Sequence, residues 1–240
     1  MRALLLAFVG AGCGHETRES GPDLGRLERL AFVPAGQLVL NLAGRGPLSI
    51  DVREALFVDA FEVTRAQWFE YQRTLGPTVA DELAAHTASW TGETGDWPAS
   101  FMTVDEAAAY ATSVDMRLPT AREWIFIAAG PQGLPFPWGA TDQRSIANTL
   151  ELGLDRPVPV GTFEAGRTPQ RVYDLVGNVA EWASDIVPDR DSLPADERVS
   201  ALGGSFRNRS RAILDPRLVE GQREVAARPL PHGSRADDIG

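Results

Sequence analysis

The segment Ser205-Phe206-Arg207-Asn208-Arg209-Ser210-Arg211-Ala212-Ile213 carries three arginines at alternate positions, in a chain whose formal net charge is −10. Alternation places such side chains on one side of an extended segment. Guanidinium groups held together there, with Ser205 and Asn208 beside them, suit bidentate capture of a carboxylate, sulfate or phosphate. A solvated or internally salt-bridged loop is the alternative reading of the same residues. A second chemically capable group is Asp174, Gly177, Val179 and Glu181. The two carboxylates offer hard oxygens, and Gly177 and Val179 between them can turn backbone carbonyls inward. A short loop that supplies several oxygens in this way is what calcium favours. Gly177-Asn178 provides the sharp turn.

What is absent narrows the chemistry. The 240-residue chain has one cysteine, Cys13, and three histidines, His15, His86 and His232. From Gly14 onward there can be no internal disulfide, thiolate metal site or thiol nucleophile. His86 and His232 lie far apart without a helical pairing to a carboxylate, so surface histidines are expected rather than a histidine-rich metal centre.

Cys13 itself stands at the end of a leader. Arg2 is followed by an apolar run over 3–11, and then by Gly12-Cys13. One positive charge, a short apolar run and small residues describe a secretory signal peptide over 1–12. The run is too short for a stable membrane-spanning helix. A cysteine directly after Gly10-Ala11-Gly12 suggests lipidation of Cys13 in a bacterial envelope and attachment to a membrane through the lipid. Plain cleavage and secretion to the periplasm or medium is the alternative, followed by an uncleaved buried segment. Residues 13–26 are polar and aperiodic, and read as a flexible tether. Net acidity repels nucleic acid phosphates, so no nucleic acid partner is expected. A protein or a small anionic ligand is the partner class that remains.

The elements that must position these groups are legible from local signals. Thr64-Arg65-Ala66-Gln67, Thr103-Val104-Asp105-Glu106 and Thr120-Ala121-Arg122-Glu123 each have the capping-box pattern Thr-x-x-Glu/Gln. In this pattern the threonine hydroxyl and the residue three positions on satisfy helix-start N–H groups reciprocally. Helices are predicted near 64–74, 104–114 and 121–129. Short apolar runs at 30–33, 38–40, 57–61 and 158–160, bounded by Gly and Pro, read as strands. Trp68, Trp124, Trp138 and Trp182 read as core anchors, and Asp59 and Arg117 are expected to pair internally in a structural ion pair. With 43% hydrophobic residues, 27–240 is long enough for one α+β domain.

Several segments, in order, resemble the formylglycine-generating enzyme (sulfatase-modifying factor) family. They are Phe32-Val33-Pro34-Ala35-Gly36; Phe57 through Glu62-Val63-Thr64; Arg117-Leu118-Pro119-Thr120-Ala121-Arg122-Glu123-Trp124; Pro137-Trp138-Gly139; Tyr173 through Glu181-Trp182; Gly203-Gly204-Ser205-Phe206; and Ala226-Ala227-Arg228. The resemblance covers almost the whole body of the chain. It implies a C-type-lectin-like α+β fold of short twisted antiparallel sheets, two or three helices and long ordered loops.

The resemblance also implies where chemistry should sit. Family members that make formylglycine bind copper through two thiolates just after the Gly-Gly-Ser segment. The matching positions here are Asn208 and, more loosely, Ile213, which cannot replace soft sulfur donors. No copper is expected, and the formylglycine-generating activity is expected to be absent. Asp174, Gly177, Val179 and Glu181 match the family's structural calcium loop. Asn148, Thr149 and Asp155, with Arg156, match a second one. The reading that follows is an exported, lipid-anchored binding or accessory protein of the cell envelope. Its alternative is an oxidoreductase or other enzyme of the family with altered, cysteine-independent chemistry.

Overall fold

Each of the three threonine tetrads opens a helix in the computed structural model, which describes residues 7–8, 29–42, 46–88, 90, 95–185, 198–213 and 228–231. Among the described residues the helices are α1 (Arg65–Gln72), α2 (Pro77–Thr87), α3 (Val104–Ser113) and α4 (Ala121–Ala129). The first, third and fourth begin with complete capping boxes. At α4 the Glu123 carboxylate accepts from the Thr120 backbone N–H at 2.8 Å and takes both arms of Arg117 at 2.8 and 2.6 Å. Arg117 thus pairs with Glu123, six residues on, instead of the Asp59 that the sequence suggested, because the carboxylate that closes the capping box lies beside it. Thr120→Ala removes the hydroxyl that caps Glu123 N–H and is expected to cost about 1 kcal/mol, while Thr120→Ser retains most of it. Urea unfolding midpoints of the three proteins check this.

Four helices exceed the two or three implied by family resemblance. The unpredicted one, α2, follows Gly76 and has Pro77 at its first position. Proline there sacrifices only an N–H that has no helical partner anyway. A pair that reads as a chain breaker therefore starts a helix.

Strands β1 (Ala7–Phe8), β2 (Leu30–Val33), β3 (Gly36–Leu42), β4 (Gly46–Val52) and β5 (Leu56–Asp59) form two antiparallel sheets, β1-β5-β2 and β3-β4. A third sheet orders β6 (Glu181–Trp182), β7 (Arg198–Leu202) and β8 (Arg228–Pro231) as β6-β7-β8. The predicted strand at 158–160 is not one. Pro157 and Pro159 lack N–H donors, and the donors left are spent singly: Val158 N–H on Asn178 Oδ1, Val160 N–H on the Asp96 carbonyl. Such a segment cannot join a ladder.

Among the described residues two large apolar clusters hold these elements. One packs α4 against Val33, Leu38, Ile50, Leu56 and Val58. The other gathers α1 and α3 around Trp68, Trp90, Tyr110 and Trp182. Trp124 and Trp182 are fully buried, as core anchors should be. Trp138 is partly buried and stacks on Phe136 at 5.0 Å. Cys13, His15, His232 and the tether lie outside the described residues, as does the side chain of His86.

Candidate functional site

The segment from Asp174 to Glu181 is a loop that β6 closes. Asp174, Gly177 and Asn178 have φ of +56°, +84° and +51°, so the chain turns sharply three times within five residues. The predicted calcium-loop residues are brought together by this winding. Asp174 is buried and its Oδ2 accepts from the Gly161 N–H at 2.7 Å. Glu181 is fully buried, its Oε2 accepts from the Trp124 indole N–H, and its Oε1 has no hydrogen-bond partner.

A third acid, Glu62, was not picked out by the sequence reading as a functional residue. It sits between β5 and α1, 1% exposed. Its Oε2 accepts from Asn178 Nδ2 at 2.5 Å and its Oε1 from the Val179 N–H at 3.2 Å. Burial pushes the carboxyls of Glu62 and Glu181 well above the ordinary range, and the charge of Asp174 pushes both the same way. Burial raises Asp174 to about 6. No Arg, Lys or His forms a salt bridge with any of the three among the described residues. Buried carboxylates without a cationic partner are costly, and a buried oxygen without a donor calls for an explanation.

A hard cation would satisfy these oxygens. Among the described residues no three His, Cys, Asp or Glu side chains gather tightly enough to hold a metal ion by themselves. A cation at Asp174 and Glu181 would therefore also draw on backbone oxygens, as the sequence spacing suggested. The donors present are carboxylate and carbonyl oxygens, which suit calcium and not copper.

The second predicted loop lies against the first. Asn148 is fully buried; its Nδ2 donates to the Arg156 carbonyl and to Asn178 Oδ1, both at 3.0 Å, and its Oδ1 has no partner. Thr149 is buried ahead of a 3-10 turn over Leu150–Leu152. Asp155 is exposed with φ +52°, and no hydrogen bond or ion pair joins it to Asn148 or Thr149. The loop thus collects Asn148, Thr149 and Arg156 and leaves the Asp155 carboxylate at its rim.

At the arginine segment the expected extended strand is replaced by a turn at Phe206 and Arg207. Asn208 Oδ1 accepts from the Ser205 N–H at 2.9 Å and Ser205 Oγ at 3.0 Å, and its own N–H donates to the Ser205 carbonyl at 2.9 Å. These local bonds tighten the chain, so the arginines do not share one face of a strand. Arg207 stacks over Phe206 at 4.8 Å, and Arg209 lies 3.8 Å from Glu151. Ser210 donates to Glu151 from its N–H and to Asp142 from its hydroxyl. Arg207, Arg209 and Arg211 are all exposed. Ile213, at the second thiolate position, is buried in the main core, its N–H bonded to the Pro135 carbonyl at 2.7 Å.

Solved structures share this architecture. Treponema denticola variable protein 1 superposes with a TM-score of 0.62 at 17% identity, covering 88% of this chain and 92% of that one. CarF superposes with a TM-score of 0.61 at 16% identity, covering 88% and 95%. A family model described as "Sulfatase-modifying factor enzyme 1-like domain" matches residues 17–236, and the chain belongs to that family. It is 24% identical to the mouse (Mus musculus) formylglycine-generating enzyme over 226 residues, 69% of this chain and 60% of that protein. It is 30% identical over 131 residues to "Inactive C-alpha-formylglycine-generating enzyme 2" of Bos taurus, covering 48% and 43%. Over 94 residues it is 35% identical to hercynine oxygenase of Mycolicibacterium smegmatis, covering 38% of this chain and 22% of that protein. The chain therefore spans at most 60% of the length of these relatives.

Proposed function

We propose that this protein is a cell-envelope binding or accessory domain, exported, cleaved before Cys13 with loss of strand β1 from the edge of its sheet, and held to a membrane by a lipid on Cys13. In this reading the family scaffold retains structural calcium and has no copper-dependent thiol oxidation. The observation that supports it most is the fate of the two thiolate positions. Asn208 is committed to locking the Ser205 turn, and Ile213 to filling the core. Neither position offers a soft donor, and neither can be freed without disturbing local structure. A relative described as inactive lies within the same range of similarity. The exposed arginines 207, 209 and 211, at the rim of that vacated position, are the binding groups, with an anionic ligand as their target.

One preparation tests this. The full chain, expressed in a bacterium and recovered from membranes, should carry a diacylglycerol-modified Cys13 by mass spectrometry, and Cys13→Ser should move to the soluble fraction. The same protein, given copper, oxygen and a thiol peptide, should leave the peptide cysteine unchanged. Soluble wild-type protein with an unmodified Cys13 would overturn the anchor. Conversion of the peptide thiol to an aldehyde would overturn the non-oxidising role.

A further inference from the structure

The two loops proposed to hold cations touch through a pair of asparagines. Asn178 lies in the first loop between Gly177 and Val179, and Asn148 in the second. The Asn148 amide donates to Asn178 Oδ1 at 3.0 Å, and the Asn178 backbone N–H donates to the Asn148 carbonyl at 2.7 Å. Both asparagines are fully buried. The same Asn178 amide donates to Glu62 Oε2, while Val158, just beyond the second loop, donates its N–H to Asn178 Oδ1 at 2.9 Å. Each loop thus ends in a polar atom that has no partner, Glu181 Oε1 in one and Asn148 Oδ1 in the other. Between those two atoms runs a continuous chain of hydrogen bonds and peptide planes.

We propose that the two loops bind their cations cooperatively, coupled through the Asn148–Asn178 bond and braced by Glu62. The physical route is short. A cation on Asn148 Oδ1 draws electron density from the amide and makes its Nδ2 a stronger donor to Asn178. That bond fixes the Asn178 side chain, and Glu62 holds it and the Val179 N–H from the other side. The two peptide groups flanking Asn178 are thereby set for the first cation before it arrives. By linkage the first cation has the same effect on the second loop. Glu62 acts here as a positioning residue, through Asn178 and Val179 rather than on a cation itself.

This rests on the cation reading given above, and the test separates the two. Calcium is titrated calorimetrically into the full chain, wild type and Asp155→Ala. Asp155 is the one acid of the residue set predicted for the second loop and stands exposed at its rim, so its removal takes a negative charge from that loop without disturbing the fold. Coupling predicts two ions in the wild type with a Hill coefficient above 1. It also predicts that the one ion left in Asp155→Ala binds at least about fivefold more weakly than the wild-type average. Asn178→Ser should likewise remove cooperativity; if it does not fold, Asp155→Ala alone decides. A remaining ion with one of the two unchanged wild-type affinities overturns the coupling and leaves the cation sites standing. No calcium uptake by the wild type overturns both.

Discussion

Gly177→Ala is expected to destabilise the fold by more than about 4 kcal/mol. Gly177 has φ +84°, and a Cβ built on it would lie 2.3 Å from the Asn148 carbonyl oxygen and 2.7 Å from its carbon. The left-handed conformation alone costs alanine about 1–2 kcal/mol. The contact adds more, because its partner is backbone. Asn148 cannot retreat without breaking its bond to the Asn178 N–H and moving its buried amide. The sum should exceed about 4 kcal/mol, a large part of the roughly 5–15 kcal/mol that a domain possesses. Gly153→Ala is the matched control. Its φ is +69°, but nothing lies within 4 Å of the added Cβ. It should lose only about 1 kcal/mol, the conformational part alone. Circular dichroism and thermal unfolding of the two variants decide the matter. Equal midpoints would show that the two loops are not packed against each other at Gly177.

The same two loops mark where local sequence signals stop. Thr64, Thr103 and Thr120 announce their helices because a capping box is a contact between residues three apart. Asp174 and Glu181 can be read as one loop for the same reason, being close in sequence. Glu62 is not, because its partners Asn178 and Val179 lie 116 and 117 residues away. The available signal was an acid placed directly before the apolar Val63 and the Thr64 cap, with its purpose set by a distant loop. The arginines were misplaced for a related reason. Their alternation suggested a strand, but the Ser205–Asn208 turn overrides any strand period. Trp124 read correctly as a core anchor, yet its indole N–H has a polar task, satisfying Glu181, that no spacing rule announces.

The buried acids make stability depend on pH with a sign opposite to the usual one. Asp174 has an ordinary value of 3.8 when unfolded and about 6 in the folded, cation-free chain. Between those values the folded state binds more protons than the unfolded state, so stability falls as pH rises. The shift of about two units corresponds to roughly 3 kcal/mol, fully lost above the folded value. Glu62 and Glu181 are raised by burial and by Asp174 and act in the same direction. Glu123 opposes them at the acid end. Despite partial burial it is held below its ordinary 4.5 by Arg117 and the Thr120 N–H. Its contribution is complete above 4.5 and is lost as pH falls through its lowered value. Cation-free protein should therefore be most stable near about pH 4–5 and lose stability toward neutrality. Under the proposed calcium reading the ion would compete with the protons on these oxygens, so its stabilising effect would grow with pH, reaching about 2.7 kcal/mol at a hundredfold excess over its Kd. Thermal midpoints in EDTA and in calcium, followed from about pH 4 to about pH 8, should diverge as pH rises. Asp174→Asn should flatten the EDTA curve and abolish most of the divergence. Parallel curves for the wild type would mean that these acids do not share a cation.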